Sequence, residues 1–383
     1  MDTRTFHGKP ISLLGYGLMR LPRLREGSPP DIDYDAAARL IDHAMANGVN
    51  YFDTAYTYRG SEAFIGQALA KYPRDSYYLA TKCPPWMLND EADFERIFAE
   101  SLARCQTDYF DFFLMHNLAQ EAKRAAQNDD YFDRLIELGM YEMLQKKKAD
   151  GKIRFVGFSF HGTLGLLEKL VETYQWDFAQ IQLNYIDWKA TDARQQYELL
   201  TKHNIPVVVM EPLRGGALAT LNEESAQMLK AARPDDSLAR WGVRYAASFP
   251  NVLTVLSGMT TMDQLTDNIA TATGLAPVSD QEKALLEKAA TAYNQAGAVP
   301  CTSCEYCMPC PQGVSIPRIF SIYNHYRLVD FRIPFDNGYS TVAESEKAAQ
   351  CIQCGVCAEK CPQHIDIPAY MKEIDDFANE PIA

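Results

Sequence analysis

At 383 residues, 47% of them apolar, the chain can bury a large core, and no stretch stays apolar for the roughly eighteen residues that a membrane span needs. A formal net charge of −13 repels phosphate backbones, and no basic stripe interleaved with aromatics overrides that sign, so neither nucleic acid nor membrane is expected as a partner. Ten cysteines in a chain that opens without a basic, then apolar leader read as metal ligands in a reducing, cytoplasmic setting rather than as disulfides.

The first segment, "TFHGKPISL", has the turn and alternation of a short hairpin. From about Leu14 to Ala270, short apolar runs then alternate with amphipathic ones. The strands read "LLGYGLMRL", "NYFDTA", "SYYLATK", "YFDFFLMH", "IRFVGFS", "FAQIQLNY", "IPVVVMEP" and "NVLTVLSG". Helical patterns separate them, among them "DAAARLIDHAMANG", "SEAFIGQALAKY", "DFERIFAESLARC", "TLGLLEKLVETY" and "TMDQLTDNIATA". Ser61, Asp93 and Thr163 are the candidate caps, and Gly48 the left-handed stop. Eight such units predict an α/β fold, a closed (β/α)8 barrel, over residues 1–278. The polar stretch from His116 to about Tyr131 reads as a long active-site loop. "DQEKALLEKAATAYNQAG" predicts a linking helix over 279–296, followed by a small all-α domain over 297–383.

That last region repeats itself, as "CPQGVSIPRIFSIYNHYR" and "CPQHIDIPAYMKEIDDFA". Before each Cys-Pro stand three cysteines at two-residue spacing: Cys301, Cys304 and Cys307 before Cys310, and Cys351, Cys354 and Cys357 before Cys361. Three thiolates so spaced wrap one cubane, and the fourth, turned away by its proline, reaches a second cluster. The expectation is two [4Fe–4S] clusters with exchanged fourth ligands: Cys301, Cys304, Cys307 and Cys361 on one, Cys351, Cys354, Cys357 and Cys310 on the other. The first run is one residue short before Cys310. Zinc knuckles are the alternative, but they require neither the third close cysteine nor the proline. Cys83 and Cys105 stand apart and read as buried thiols.

Catalytic groups of a (β/α)8 barrel sit where strands end. Asp53, Lys82 and His116 end three consecutive apolar runs, and Tyr58 lies on the loop after the first. Lys82 carries the strongest signal, because a lysine that ends a buried strand costs desolvation unless it is paired. The segments "YFDTAYTYRGSEAFIG", "TKCP", "FLMHN" and "GFSFHG" together resemble the aldo/keto reductase superfamily over about residues 8–275, and the cysteine module resembles that of its iron–sulfur members, with an α-helical ferredoxin-like domain. The resemblance implies an oxidoreductase that interconverts a carbonyl and an alcohol by hydride transfer. Tyr58 would be the proton donor, Lys82 the cation that tunes it, Asp53 the anion that holds Lys82, and His116 a contact to the carbonyl oxygen.

The same resemblance implies a nicotinamide cofactor at Gly17, Asp53, Ser159, Gln182, Met210, Pro212, Leu213, Arg214, Gly215, Ser257, Met259, Thr260, Gln264 and Asn268. Phe160 stands where an asparagine is usual, and Met210 where an aromatic ring stacks. Gly258 and Gln264 stand near the place of the cations that clasp a 2′-phosphate, so NADH is favoured over NADPH. Hydride moves as an electron pair and clusters move single electrons, so FMN is the alternative, its phosphate on "PLRGG" and "SGMTT" with Arg214. The expected partners are a small carbonyl or alcohol substrate, with Trp86 and Trp188 as an aromatic wall, and a possible redox protein. A redox-sensing protein without catalysis is the remaining alternative.

Overall fold

The computed structural model describes residues 1–27, 30–118, 131–329 and 332–380. Eight parallel strands close into a barrel: β1 (Leu14–Gly17), β2 (Tyr51–Asp53), β3 (Tyr78–Cys83), β4 (Phe110–Met115), β5 (Ile153–Phe160), β6 (Phe178–Gln182), β7 (Val207–Met210) and β8 (Val252–Ser257). They follow chain order around the ring, and β8 pairs with β1 through Val255–Leu14 and Ser257–Tyr16. The hairpin Thr3–Phe6 with Lys9–Ser12 lays Phe6 and Ile11 on Tyr51, Tyr78, Phe112 and Phe178, which closes the floor with apolar surface.

All strands but β5 are shorter than the apolar runs, and the reasons are local. The run of β1 continues to Leu21, but Leu18–Arg20 winds into a 3-10 turn. Past β6, the Asn184 side-chain oxygen accepts from the Ile186 and Asp187 amides, a turn that pulls the chain out of the sheet. Two caps differ from expectation. Ser61 is the first helical residue of Ser61–Leu69, after Gly60 at φ +74°, because its hydroxyl is committed to Leu18 O and Thr54 Oγ1. Asp90, not Asp93, caps Glu91–Arg104, its carboxylate accepting from the Asp93 amide. Thr163 precedes Leu164–Thr173, and Gly48 follows Tyr34–Ala46 at φ +82°. Of the loop expected after His116, residues 119–130 lie outside the described residues.

The described residues form two compact units. One takes the chain to Pro212 together with Arg240–Val278; the other takes Leu213–Ala239 together with the chain from Ser279 on. Leu213–Ala239 therefore groups with the C-terminal unit although it lies inside the span 1–278. Helix Glu223–Ala232 packs along Asp280–Gln295, tied by Ser225 Oγ to Ala289 O (2.8 Å), and Arg233 Nε just past it reaches Glu282 Oε1 (2.6 Å). The helix read as a linker is thus part of a packed pair. Within that unit Ile316–Val329 and Ile367–Asn379 follow the two Cys-Pro-Gln copies, and Ile319, Phe320, Phe335, Met371 and Ile374 form a core with Cys357, against which five more cysteines pack. No helix among the described residues is long and apolar enough to cross a membrane.

Helices around the barrel touch closely where a side chain is missing. A Cβ built on Gly66 would lie 2.5 Å from Arg104 O and 2.7 Å from Cys105 C, both backbone atoms that cannot swing aside. Gly66→Ala is expected to lower stability by about 1–3 kcal/mol through overpacking, read as a lower urea midpoint. A midpoint equal to the parent's would show that these helices yield.

Candidate active site

Asp53, Lys82 and His116 come from β2, β3 and the residue after β4, which are adjacent in the ring, so their side chains meet at one side of the mouth. Lys82 Nζ donates to Asp53 Oδ1 (2.5 Å) and to Thr54 O (2.7 Å), and lies 4.7 Å from the centroid of the Tyr58 ring. Tyr58 and His116 meet edge to face with centroids 5.7 Å apart. The sequence-expected four are therefore one cluster. Asp53 Oδ2 is buried with no hydrogen-bond partner, so a single carboxylate oxygen carries the ion pair. Behind Lys82, the buried carboxylate of Glu62 accepts from Thr81 Oγ1 (2.7 Å), with Arg104 3.4 Å from its other oxygen. The sequence reading missed Glu62; its one signal is an acid on the apolar stripe "SEAFIG".

Burial controls the electrostatics. It raises the Asp53 carboxyl and lowers the Lys82 ammonium, while the contact between the two opposes both shifts. The result is an ammonium that yields its proton more readily than an exposed lysine. His116 is held well below its ordinary value of 6.5, first by burial and then by the charges of Lys82 and His161, so its ring is neutral at pH 7. Its Nδ1 lies 3.4 Å from Thr57 Oγ1, and the Trp86 ring stands 5.3 Å away. Trp188, the other expected wall residue, packs instead among Tyr197, Tyr245 and Phe249, because its short helix Asp187–Ala190 turns it onto that aromatic group.

The expected cofactor contacts are distributed around the mouth. Ser159 Oγ accepts from the Asn117 amide (2.8 Å), and Asn117, at φ +53°, keeps its side-chain oxygen buried without a partner. An unpaired acceptor beside Ser159 suits the amide group of a nicotinamide, which Phe160, buried and apolar, cannot serve. Gln182 Nε2 donates to Asp187 Oδ2 (2.7 Å), which fixes its orientation, and Asn184 Nδ2 donates to the same oxygen (2.5 Å). Met210 Sδ lies 3.7 Å from Gln180 Nε2. On the far side, Tyr16 OH donates to Met259 O (2.5 Å), Asn268 Nδ2 to Ser257 Oγ (3.0 Å), and the Thr260 amide and hydroxyl to Gln264 Oε1 (2.9 and 3.1 Å). Gly17 faces the Ser257–Gly258 backbone, and Pro212 ends this part of the barrel unit. Leu213, Arg214 and Gly215 fall in the other compact unit, where Gly215, at φ +68°, meets the Thr302 backbone so closely that a Cβ would lie 2.2 Å from Thr302 O. Asn117 and Asp187 were not singled out from sequence, although Asn117 is the last residue of "FLMHN".

In the C-terminal unit the cysteines line two hollows. One is bordered by Cys301, Cys304, Cys307 and Cys361; the other by Cys310, Cys351, Cys354 and Cys357. Each takes three cysteines from one copy of the repeat and a fourth from the other. Among the described residues no trio of Cys, His, Asp or Glu is drawn around one point as for a single ion. Four thiols bordering each hollow fit the donor chemistry of a cubane. Burial first, then neighbouring thiols, raises Cys307, and the same order of causes pushes Cys357 up to about 11; ligation would require the positive charge of iron to ionise them. Cys83 and Cys105 are buried, unpaired and pushed upward by burial.

A model of the aldo/keto reductase family matches residues 13–290, and a model of the 4Fe-4S dicluster domain matches residues 300–365. The chain is 24% identical over 305 residues to the L-galactose dehydrogenase of Arabidopsis thaliana, covering 73% of this chain and 90% of that protein. It is 25% identical over 289 residues to the NADH-specific methylglyoxal reductase of Escherichia coli (strain K12), covering 63% and 83%. An aldo-keto reductase from Bacillus halodurans superposes with a TM-score of 0.58 at 24% identity, covering 76% of this chain and 96% of that one. One from Klebsiella pneumoniae, in complex with NADP and acetate, also gives 0.58, at 20% identity and 75% and 94% coverage.

The buried, neutral His116 couples folding to pH. Its folded pKa is below 6.5, so the stability it contributes is present above pH 6.5 and is lost as pH falls, because the unfolded chain then takes a proton that the folded chain refuses. For this one group the slope approaches about 1.4 kcal/mol per pH unit. Urea titrations at pH 7.5 and 5.5 should show a smaller loss in His116→Gln than in the parent. Equal losses would mean that His116 is protonated in the fold.

Proposed function

The chain belongs to the aldo/keto reductase family and carries a 4Fe-4S dicluster domain, and from that premise we propose that it interconverts a small carbonyl compound and its alcohol by hydride transfer from a bound nicotinamide. The observation that carries this reading is the buried Lys82 ammonium, bonded to Asp53 and Thr54 and lying over the Tyr58 ring. When bound, the reduced nicotinamide supplies two electrons and a hydrogen nucleus to the carbonyl carbon. Asn117, Ser159 and Gln182 hold its carboxamide, and Gly17 with Ser257–Met259 backs the nucleotide. Tyr58 gives its phenolic proton to the oxygen as the C=O π bond breaks, so the alcohol forms with charge balanced. Lys82 stabilises the phenolate until a solvent proton restores it, and Asp53 keeps Lys82 in place. The neutral His116 donates a hydrogen bond to the carbonyl oxygen without competing for the proton.

The name of the Escherichia coli relative, together with the absence of Lys and Arg from "SGMTTMDQLTDN", supports NADH as at least the equal of NADPH. The grouping of cysteines around the two hollows supports two [4Fe–4S] clusters with exchanged fourth ligands, which serve as a relay to a redox protein. Thiols without disulfides suit a reducing cytoplasm. The mismatch between hydride and single electrons favours a second reading, with FMN in the barrel; the visible spectrum of anaerobically purified protein separates flavin bands from broad cluster absorbance.

Tyr58→Phe should lower kcat by about 10²–10⁴-fold, the usual contribution of a positioned acid, with nucleotide binding nearly unchanged. Turnover within a few-fold of the parent would remove Tyr58 from this role. Iron and sulfide analysis should return about eight of each per chain, the content of two cubanes. About four of each with stoichiometric zinc would make one hollow a zinc site and end the relay.

A further inference from the structure

A buried carboxylate that no step of the proposed chemistry uses lies in the helix layer behind Lys82. Glu62 is the second residue of helix Ser61–Leu69 and is 2% exposed. With two consecutive residues, this helix reaches both chain segments that cage the ammonium. Ser61 Oγ is bonded to Thr54 Oγ1 (2.8 Å), and Thr54 O is the carbonyl that holds Lys82 Nζ. Glu62 Oε1 accepts from Thr81 Oγ1 (2.7 Å), the residue directly before Lys82 in β3. The acid is therefore fixed to the strand that carries the lysine. Its charge is also less cancelled than that of another buried acid, Asp111 in β4. Asp111 meets two arginines, Arg74 at 2.8 Å and Arg154 at 2.6 Å, whereas Glu62 meets Arg104 at 3.4 Å, and that arginine is drawn outward to Glu100 at 2.8 Å.

We propose that Glu62 is a positioning residue of the barrel mouth: through Thr81 it fixes a buried negative charge behind β3 that holds Lys82 in its ammonium form. The consequence for Tyr58 as proton donor rests on the hydride-transfer reading. A carboxylate keeps its charge inside a protein when donors face it, and Glu62 is met by the hydroxyls of Thr81 and Ser101 and by Arg104, which oppose the upward push of burial on its carboxyl. Lys82 has the opposite problem. Burial pulls its ammonium downward, and Asp53 first and Glu62 after it push it back. The charged and titratable groups around Lys82 are Asp53, Tyr58, His116 and Glu62. Those around Glu62 are Arg104, with Glu100 and Tyr56 beyond it, and the thiols of Cys83 and Cys105, which burial keeps protonated. His116 is neutral, so two acids share the lysine, Asp53 by contact and Glu62 through its field across a layer closed to water. With Asp53 alone the ammonium would lose its proton at a lower pH, and Tyr58 would lose the cation that makes it a competent acid.

The test follows Lys82 itself by nuclear magnetic resonance. Anaerobically purified holoprotein is prepared with lysine isotope-labelled at Cε, and the Lys82 signal is assigned as the one missing from Lys82→Arg. Its shift is then titrated with pH in the parent, Glu62→Gln, Glu62→Asp and Glu100→Gln. Glu62→Gln keeps an acceptor for Thr81 but removes the charge, so the Lys82 midpoint should fall by about one pH unit. Glu62→Asp should recover part of that shift, and Glu100→Gln, which removes an acid outside Arg104, should leave the midpoint nearly in place. The high-pH limb of kcat for reduction of methylglyoxal by NADH should move down together with the Lys82 midpoint in Glu62→Gln. An unchanged Lys82 midpoint in Glu62→Gln, whatever happens to thermal stability, would make Glu62 a structural residue and overturn the proposal. An equal shift in Glu100→Gln would overturn it too, because the effect would then belong to the outer ion pairs. A parent that reduces no small aldehyde with NADH or NADPH would overturn the hydride-transfer reading, while the Lys82 titration still decides what Glu62 does.

Discussion

The buried pair of Asp53 and Lys82 is the interaction on which the barrel mouth depends. Either charge alone at the end of a buried strand would cost several kcal/mol of desolvation, and removing one partner of such a pair typically costs about 3–5 kcal/mol. The two can coexist because β2 and β3 are neighbours, so that an acid ending one strand and a lysine near the end of the next meet at 2.5 Å. Thr54 O takes a second ammonium hydrogen, and Glu62 adds a negative charge one layer out. The same contact that makes Lys82 tolerable inside the barrel directs it at Tyr58 and places a charge that adds to the burial keeping His116 neutral. Stability and chemistry share one ion pair.

Around that pair, the mouth is built by cross-links between loops that follow different strands. Asn117 and Ser159 join the ends of β4 and β5, Gln182, Asn184 and Asp187 brace the turn after β6, and Tyr16 and Asn268 pin the run after β8. Side chains held in this way lose little further entropy when a ligand arrives, which favours precise orientation of whatever the mouth binds. The left-handed backbones of Asn117 and Glu211 belong to the same economy: each turns the chain sharply at a strand end, where a regular continuation would carry the side chain away.

The C-terminal unit solves a different problem. Its helices surround a modest core that includes Cys357, and five further cysteines pack against that core. Buried thiols with raised pKa values resist ionising on their own, so a metal bound by them would have to ionise them and would fasten the two copies of the repeat, its binding energy then adding to the folding energy. Helix Glu223–Ala232 joins this unit through its packing on Asp280–Gln295, so the segment after β7 is shared between barrel sequence and cluster fold.

What could be read from sequence alone was whatever depends on neighbours a few residues away. The alternation of apolar runs pointed to eight strands and the barrel, two-residue cysteine spacing marked out the cysteines that line the two hollows, and a lysine closing an apolar strand marked Lys82, because burial of that run leaves its charge no cheaper place. Thr163 takes the expected N-cap position, although its side chain makes no cap hydrogen bond, whereas Ser61 misleads, its hydroxyl being claimed by Leu18 and Thr54. Tertiary structure alone decided the rest: Trp188 in an aromatic cluster, Asn117 with its unpaired oxygen beside Ser159, Gly258 left bare for the stem of Arg20, and Glu211 placed to meet it. These groups lie tens to hundreds of residues apart in the chain. Only closure of the ring, which sets β8 against β1 and β4 against β5, brings them within hydrogen-bonding range, and no local pattern carries that distance.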